Sequence, residues 1–474
     1  MAKQSLPVYL RIARIIEQQI LQQVIKTGDK LPSLRTLSLQ HGISQTTAIS
    51  VYHYLESKAL IAARPQSGYY VTHASHLVPA IMTITDPTIG AQTGNIEQLV
   101  ESVYNNLGEG GCFQLALGAP ATNLLPVAKL NKGVVAATRE LQASGIQYDK
   151  VQGNERLRRQ IARWSLGMHA IITHHDIITT SGCLNALSYA LMALTGKGDS
   201  IALESPVSFG MLQLCQALGL KVIEMPTHPV SGVDLNALED VIKKKKIKVC
   251  LLISNFSNPL GSCMPDENKK QAVRLIEKHN IPLLENDVNG DVYFGDHRPR
   301  SCKSYDESGL VLWCGSVSKT LAPGYRVGWI APGRFKENVL RIKSYHSISG
   351  TGITQEAIAS FLENGRYEGH LRKLRSSLHA NLIKYTGAIA EHFPDGTSVT
   401  RPQGGFVQWV QLPRNMNTVE IFERAIKRKI SFAPGRIFTL QKRYDNCMRL
   451  NLGLEWNDNL AYGLRTLGKM ARDY

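Results

Sequence analysis

The chain has 474 residues, 43% of them apolar, and a formal net charge of +16. This length exceeds that of one ordinary hydrophobic core, so two or more domains are expected. No apolar run reaches the roughly 18 residues of a membrane span, and the first residues lack the apolar core of a signal peptide. The eight cysteines are scattered without a Cys-x-x-Cys pair, so we expect no structural metal, reduced thiols and a cytoplasmic location. The positive charge indicates a polyanionic partner.

The N-terminal region carries the signals of a helix followed by two shorter helices. Apolar residues recur at helical spacing between residues 8 and 25, which predicts a one-faced helix. Ser33 and Ser44 begin the helical stretches over residues 33 to 40 and 44 to 57, and each can cap its helix. The apolar side chains of the first helix are Ile12, Ile16, Ile20 and Val24.

The third helix and the stretch after it complete a small domain. In that helix we expect Ile49 and Leu55 to face inward, with Tyr52 near them. Residues 60 to 71 alternate about a glycine turn, which predicts a β-hairpin wing. A helix, a short glycine turn and a second helix is the geometry of helix-turn-helix DNA readers, and the generic alternative is an accessory or dimerisation domain.

Three segments narrow this choice. They are residues 28–37, with the sequence Gly-Asp-Lys-Leu-Pro-Ser-Leu-Arg-Thr-Leu, residues 42–47, Gly-Ile-Ser-Gln-Thr-Thr, and residues 68–71, Gly-Tyr-Tyr-Val. Together they closely resemble the GntR winged helix over the full length of that domain. The resemblance implies a winged helix-turn-helix (α+β) DNA-binding domain over residues 1–73.

The implied DNA contacts fall on two groups of side chains. Lys30 and Arg35 would grip phosphates, and the short polar side chains that open the recognition helix would meet base edges and backbone oxygens. Gln45 stands where the family often has arginine, so a bidentate contact to guanine is lost and a contact to adenine becomes available. The implied DNA-binding residues are Lys30, Arg35, Ser44, Gln45, Thr46, Thr47, Tyr52 and Gly68.

Residues 74–110 separate this domain from the rest of the chain. They contain prolines, glycines and small polar residues, which predicts that part of the segment is a tether. Residues 96 to 107 can form a short helix that leads into the second domain.

Apolar strands then alternate with amphipathic helices. This alternation predicts a mainly parallel α/β sheet. The predicted strands are residues 176–180, 201–204, 221–225, 249–254, 282–285, 310–314 and 327–331.

The loop from Ser316 to Gly328 follows one of these strands and carries most of the chemistry. The amine of Lys319 could form an imine if burial or nearby cations kept it partly neutral. Ser316 and Ser318 can donate to a phosphate, and Arg326 can add a two-pronged contact. A Ser-Lys pair alone is typical of an ordinary loop. The full string Ser-x-Ser-Lys-x-x-x-Pro-Gly-x-Arg-x-Gly resembles the pyridoxal-phosphate lysine loop of class I aminotransferases, of fold type I.

This resemblance implies a cofactor, a fold and further site residues. Lys319 would carry pyridoxal 5′-phosphate as an internal aldimine. Residues 111–334 would be the large α/β domain of the aminotransferase fold, and residues 335–474 its small α+β domain. Tyr148 would reach the cofactor phosphate of the neighbouring subunit, and the turn of Gly182, Cys183 and Leu184 would hold the phosphate with its amides.

Two more residues are similar to family positions that contact the ring and the substrate. Asn258, in an Asn-Pro-x-Gly motif, would hydrogen-bond the 3′-oxygen of the ring and lie near the substrate carboxylate. Arg449, near the end of an apolar strand, would clamp the α-carboxylate of an amino acid. An Asn-Pro turn and a surface arginine are the structural alternatives.

The chain departs from the family pattern at the cofactor ring. Asn286 and Asn289 stand where the family usually has an aspartate for the pyridine nitrogen and a tyrosine for the 3′-oxygen. Asp287 is one step off and could replace that aspartate only if the backbone shifted. Ser208 occupies the place of the aromatic residue that stacks on the ring, and Phe209 is next to it. Without the carboxylate the cofactor would be a poorer electron sink, which argues against efficient transamination.

The combination resembles the MocR subfamily of GntR regulators, also called the GabR type. It implies a homodimeric transcriptional regulator that binds a double-stranded DNA operator and senses an amino compound through aldimine exchange at Lys319. The alternatives are a working aminotransferase with a fused DNA anchor and a vestigial cofactor site. The implied cofactor-binding residues are Lys319, Ser316, Ser318, Arg326, Asn258, Tyr148, Gly182, Cys183, Leu184, Asn286 and Asp287, and the implied substrate-binding residues are Arg449 and Asn258.

Overall fold

A computed structural model describes most of the chain, whose described residues divide into two compact units. The first unit contains residues 7–71, 380–399 and 456–474, and the second contains residues 91–379 and 400–455. The described residues are 7–21, 24–26, 28–58, 60–64, 67–71, 91–92, 97–105, 113–141, 145–245 and 247–474. Most of the predicted tether between residues 74 and 110 lies outside these residues. None of the helices within the described ranges combines the length and apolar character needed to cross a bilayer.

The N-terminal residues form three helices and a hairpin around one core. Ser33 Oγ accepts a hydrogen bond from Thr36 N at 3.1 Å, and Ser44 Oγ accepts one from Thr47 N at 3.1 Å, so both predicted caps are present. Gly42 ends the second helix with a φ of +61°, a conformation that glycine adopts without strain. The elements are α1 (Val8–Leu21), α2 (Leu34–His41), α3 (Gln45–Ser57), β1 (Ile61–Arg64) and β2 (Gly68–Val71), the strands being antiparallel.

Two details of this core differ from the sequence expectation. Helix α1 ends at Leu21, and Val24, predicted to continue its apolar face, is 67% exposed. Ile49, expected to face inward, is 37% exposed. The buried stripe of α3 lies beside it, because helical spacing aligns a different set of side chains. That set is Ala48, Val51, Tyr52 and Leu55.

The second unit is built on a large mixed sheet. Five central strands are parallel, in the order β7, β6, β9, β10, β11, and β12 is antiparallel to both of its neighbours, β11 and β5. The predicted mainly parallel α/β sheet is therefore confirmed. The strands are β3 (Ala91–Gln92), β4 (Phe113–Gln114), β5 (Ile178–Thr180), β6 (Ser200–Ser205), β7 (Lys221–His228), β8 (Gly232–Val233), β9 (Val249–Leu252), β10 (Leu283–Asn286), β11 (Val311–Ser316) and β12 (Gly328–Ala331).

Helices cover this sheet and bury its apolar side chains. Leu238 and Val241 of α9 and Val273 of α10 pack with strand residues in one buried cluster, while α7 packs on β10, β11, β12 and β5. The helices up to residue 346 are α4 (Glu97–Asn105), α5 (Val127–Glu140), α6 (Glu155–Ser165), α7 (Cys183–Leu194), α8 (Phe209–Ala217), α9 (Leu235–Lys245), α10 (Asp266–His279) and α11 (Lys336–His346).

The C-terminal residues add a smaller sheet that carries Arg449. Strand β17 lies between β14 and β16 and is antiparallel to both, with Arg449 opposite Trp409 and Ala433. Strand β15 pairs in parallel with β4. The remaining elements are α12 (Gly352–Glu363), α13 (Arg366–His392), β13 (Ser398–Val399), β14 (Val407–Gln411), α14 (Thr418–Ile426), β15 (Ile430–Ser431), β16 (Ala433–Pro434), β17 (Cys447–Asn451) and α15 (Asp458–Arg472).

Candidate functional site

A cavity of about 410 Å³ lies where the carboxyl ends of β10 and β11 meet the loops that follow them. This is the edge at which α/β sheets hold ligands. Three cations line the cavity, and no aspartate or glutamate is among its described lining residues. Its charged and polar side chains are Ser208, Asn258, Asn286, Asn289, Ser316, Ser318, Lys319, Arg326 and Arg449, together with Tyr104 and Cys183.

Lys319 is held in the cavity by the backbone of a distant segment. Its Nζ donates a hydrogen bond to the Gly118 carbonyl oxygen at 2.5 Å. Burial lowers the pKa of Lys319 to about 8, and the positive charges of Arg449 and Arg326 act in the same direction. About a tenth of this amine is therefore neutral at pH 7, and the neutral amine is the form that attacks a carbonyl.

Arg326 and the serines of the same loop form one end of the cavity. Arg326 Nη1 donates to Ser318 Oγ at 3.2 Å, and its Nη2 donates to the Ser181 carbonyl oxygen at 3.2 Å. Ser318 N donates to Ser316 Oγ at 3.3 Å. The guanidinium and the two hydroxyls are thus gathered without a carboxylate among them.

The start of helix α7 lies against this group. Gly182, the N-cap, has a φ of +91° and makes no side-chain cap, so the first amides of α7 keep their capacity to donate. A Cβ at Gly182 would lie 2.3 Å from Arg326 Nη2, and one at Gly328 would lie 2.5 Å from the Gly182 carbonyl carbon. The glycines let the helix N-terminus and the guanidinium approach each other. Arg326, the serines and the amides of Cys183 and Leu184 together fit a phosphate.

Arg449 forms a second cationic end of the cavity. It is 2% exposed, its Nη1 donates to Asn258 Oδ1 at 2.9 Å, and its Nη2 donates to the Ala116 carbonyl oxygen. Its Nε has no hydrogen-bond partner among the described residues. Burial lowers the pKa of Arg449 to about 10. A buried guanidinium with spare donors fits a ligand carboxylate.

The two positions predicted to contact the cofactor ring carry amide side chains, Asn286 and Asn289. Asn286 Oδ1 accepts hydrogen bonds from Cys183 Sγ and from Val288 N, both at 3.3 Å. Asn289 Nδ2 donates to the Phe256 carbonyl oxygen at 2.9 Å. Both asparagines line the cavity.

Asp287, included in the sequence prediction as a cofactor contact, is placed elsewhere. Its Oδ2 pairs with Arg298 Nη2 at 2.6 Å and accepts from Trp313 Nε1 at 2.9 Å, while its Oδ1 accepts from Asn255 Nδ2 at 2.9 Å. It is not among the residues lining the cavity. Side chains alternate across a strand and its extension, so neighbours at positions 286 and 287 face opposite sides.

Ser208 and Phe209, the two residues considered for stacking on the cofactor ring, differ in their contacts. Both residues line the cavity. Phe209 packs edge-on against Phe438, with ring centroids 5.8 Å apart, and Ser208 is the N-cap residue of α8. Tyr148 is 82% exposed and is not among the lining residues. The sequence interpretation missed Gly118 and Ala116, because their contribution is a carbonyl oxygen that carries no side-chain signal.

The helix-turn-helix presents most of its predicted DNA-binding residues on its surface. Ser44, Gln45 and Thr46 lie at the first turn of α3, where Gln45 and Thr46 are exposed, and Arg35 is exposed on α2. Ser44 Oγ and Thr47 Oγ1 lie 2.8 Å apart, so Thr47 joins the cap of the recognition helix.

The hairpin residues and Tyr52 differ in accessibility. Gly68 has a φ of +106°, and the Nζ of Lys30 lies 5.9 Å from the ring centroid of Tyr70. Tyr52 is fully buried, and its hydroxyl donates to the Pro32 carbonyl oxygen at 2.6 Å. The structure thus assigns Tyr52 to the core, where it cannot reach DNA.

Known proteins match both parts of the chain. Residues 8–71 match the family described as bacterial regulatory proteins, gntR family, and residues 112–465 match aminotransferase class I and II. The uncharacterized HTH-type transcriptional regulators YjiR and YdcR of Escherichia coli (strain K12) are 35% and 31% identical to the chain, covering 97% and 98% of it and 98% and 99% of their own lengths.

Solved structures match the second part. LysN, the alpha-aminoadipate aminotransferase of Thermus thermophilus, has been solved complexed with N-(5'-phosphopyridoxyl)-L-leucine. It is 25% identical to the chain and superposes with a TM-score of 0.73, covering 79% of this chain and 94% of LysN.

Proposed function

The chain belongs to the aminotransferase class I and II family and carries a gntR-family domain, and from this membership we propose that it is a transcriptional regulator that senses an amino compound at Lys319. It binds DNA through the winged helix and pyridoxal phosphate in the cavity. The sensing step, the identity of the residues involved and the homodimer are parts of the proposal.

The observation that carries the proposal is the charge pattern of the cavity. Lys319 lies among lining residues that include Arg326 and Arg449, with no carboxylate among those described. Such a pocket suits a ligand pair with two separate anionic groups, a phosphate and a carboxylate. Pyridoxal phosphate supplies an aldehyde that condenses with primary amines, as well as the phosphate.

Each residue has a defined task in this scheme. Arg326, Ser316, Ser318 and the α7 amides hold the phosphate, and the glycine at position 182 keeps that cradle open. Lys319 provides the attachment point because its depressed pKa leaves part of its amine neutral. If an incoming amine displaced it, the Lys319 amine would again be available to donate to the Gly118 carbonyl oxygen.

The effector class follows from Arg449 and its surroundings. A carboxylate on the incoming amine would meet the Arg449 guanidinium, which now uses the Ala116 carbonyl and Asn258 as partial substitutes. Phe209 and Phe438 lie beside Arg449, with the Phe438 centroid 5.0 Å from its guanidinium carbon. We therefore expect an amino acid as the effector, in preference to a simple amine.

A homodimer is supported by exposed apolar side chains on the second unit. Ile146, Tyr148, Tyr345 and Ile348 are all exposed, in two segments of the chain. Contiguous exposed apolar patches mark protein interfaces, and in this proposal these side chains contribute to one such patch. If the interface forms there, sedimentation of the purified protein will give twice the chain mass, and Tyr345→Asp will shift it toward the monomer.

A titration of the cofactor-loaded protein with amino acids tests the function. We expect a change in cofactor absorbance that saturates with the effector, accompanied by a change in operator affinity measured at several salt concentrations. Rapid multiple turnover of amino donors would support the working aminotransferase instead. Failure to bind cofactor, or binding that is unchanged in Lys319→Ala, would support a vestigial site.

A further inference from the structure

The amide of Asn286 has a defined orientation. The Val288 backbone N–H is a donor only, so the Asn286 atom 3.3 Å from it must be the carbonyl oxygen. The Cys183 thiol, at 3.3 Å from the same oxygen, reinforces this assignment. Burial raises the pKa of the Cys183 thiol to about 12, so it stays protonated and keeps its donor. The amide nitrogen, Nδ2, is therefore directed away from both groups.

No hydrogen bond from Asn286 Nδ2 to another described residue is found, and Asn286 lines the cavity. The phosphate cradle lies next to Asn286, so the Asn286 Nδ2 atom is close to the proposed cofactor site. Cys183 begins helix α7, whose first amides form the cradle, and the same residue contacts Asn286. In the cofactor the ring nitrogen lies opposite the carbon that reacts with an amine. With that carbon at Lys319, the ring nitrogen would point away from the lysine.

On this basis, which rests on the proposed function, we propose that Asn286 Nδ2 donates a hydrogen bond to the ring nitrogen of pyridoxal phosphate and holds that nitrogen unprotonated. A nitrogen that accepts a hydrogen bond from an amide has its lone pair engaged and cannot carry a proton there. Asn286 is thereby a specificity-determining residue. A neutral ring would be a weak electron sink, so an amine bound there would keep its Cα–H bond.

The surrounding charges support a neutral ring. Asp287 is engaged by Arg298 and Trp313 on the other side of the strand extension. Glu285 is buried and accepts from the amides of Cys302 and Lys303 at 2.6 and 2.9 Å. Glu204 accepts from Ile253 N, and burial raises its pKa to about 8, so its carboxyl is mostly protonated at neutral pH. None of these three carboxyl groups lines the cavity.

The test is nitrogen NMR of the full-length protein loaded with cofactor labelled with ¹⁵N in the ring. Wild-type protein is expected to show the resonance of a hydrogen-bonded, unprotonated pyridine. Asn286→Asp is expected to move it by the large upfield shift that separates pyridine from pyridinium, and to bring measurable conversion of an amino acid to its keto acid.

Two further variants distinguish the hydrogen bond from its surroundings. Asn289→Asp adds a carboxylate to the same cavity at another position, and the nitrogen should stay unprotonated. Asn286→Leu removes the donor without adding charge, and should leave a neutral, unbonded nitrogen with cofactor affinity about 2- to 10-fold weaker, the range for one lost hydrogen bond. Operator binding and thermal unfolding verify that each variant is folded.

The outcomes separate this inference from the proposed function. A wild-type protein that binds no cofactor would overturn the proposed function. A wild-type protein that binds cofactor at Lys319 with a protonated ring nitrogen would leave that function standing and overturn the role of Asn286. Protonation in Asn289→Asp equal to that in Asn286→Asp would also overturn it, since position would then not matter.

Discussion

The winged helix and the cavity are both suited to anions, but they hold their polar groups in different ways. The winged helix presents Arg35, Ser44, Gln45 and Thr46 within a short, continuous stretch of chain. The cavity joins Lys319 and Arg326 of one loop with Arg449 of a strand far along the chain, and it buries Arg449 to 2% exposure. Local geometry therefore suffices for the first surface, whereas the second depends on the packing of the whole sheet.

Burial also gives the cavity chemistry that an exposed surface lacks. Burial lowers the pKa of Lys319 to about 8 and that of Arg449 to about 10. Desolvation of these two cations costs free energy, and an anion that binds in the cavity offsets this cost. A substitution in the winged helix should leave the cavity unchanged, and a substitution in the cavity should leave the winged helix folded, so each serves as the internal control for the other.

The largest effect is expected for Lys319→Ala. Covalent attachment of the cofactor should be abolished, as measured by mass after borohydride reduction, because no other lysine lines the cavity among the described residues. Lys343→Met is the matched control. Burial lowers the pKa of Lys343 to about 8 as well, but Lys343 lies outside the cavity and its removal should leave attachment intact. If borohydride reduction attached one cofactor to every Lys319→Ala chain, Lys319 would not be the attachment point.

Gly182→Ala should weaken the phosphate cradle. The new Cβ would lie 2.3 Å from Arg326 Nη2, and the φ of +91° strains any other residue. The Arg326 guanidinium would have to move away from the cradle, and loss of its charged hydrogen bond to the phosphate costs about 1.5–3 kcal/mol, so cofactor affinity should fall roughly 10- to 150-fold. Gly210→Ala is the control, since Gly210 also lines the cavity but a Cβ there has no neighbour within 4 Å. Equal affinities for the two variants would count against the cradle.

Arg449→Met should act on the effector and not on the cofactor. Loss of a charged hydrogen bond costs about 1.5–3 kcal/mol, or roughly 10- to 150-fold in affinity for an amino acid. An amine of the same shape without a carboxylate should bind both proteins equally well. Spectral titrations with the two ligands measure the difference, and a parallel loss for both would argue against a carboxylate clamp.

Arg35→Ala and Gln45→Ala should change DNA binding in different ways. Arg35→Ala should weaken binding to all sequences and reduce the salt slope by about one, as expected for a phosphate contact. Gln45→Ala should relax the preference at one base pair by about 1–3 kcal/mol. Binding isotherms on mutated operators at several salt concentrations distinguish the two. Cofactor attachment should be normal in both variants.

Tyr52→Phe should give the smallest effect, on stability alone. It removes the hydrogen bond to the Pro32 carbonyl oxygen, which is worth about 1 kcal/mol in the free energy of unfolding. Tyr69→Phe is the control, because no hydrogen bond of the Tyr69 hydroxyl is found among the described residues. The operator affinity of the folded protein should be unchanged. A loss of operator affinity in Tyr52→Phe but not in Tyr69→Phe would show that Tyr52 contributes to DNA binding after all.

The fold was largely predictable because its signals are local. The caps Ser33 and Ser44 act on amides three residues away, and the apolar strands of the sheet are continuous runs. Ile49 was misplaced because Ala48, one position away, is apolar but small, and the sequence pattern favoured the larger side chain. The buried stripe follows helical spacing, not side-chain size.

The cavity was predictable only where a motif is contiguous. The loop around Lys319 could be recognised as one string, whereas the carbonyl of Gly118 reaches Lys319 across 201 positions and carries no side-chain signature. The opposite facing of Asn286 and Asp287 follows from strand alternation, but the partners of Asp287, such as Arg298, are fixed by tertiary packing.

The alternation at positions 286 and 287 has an evolutionary consequence. A carboxylate, that of Asp287, already exists next to Asn286, the proposed ring contact. It pairs with Arg298 and does not line the cavity, so a small adjustment cannot bring it there. A change in the first base of the asparagine codon would place an aspartate directly in the pocket. A single-nucleotide change would then convert the proposed receptor into an enzyme. Selection for the regulatory function would act against that change.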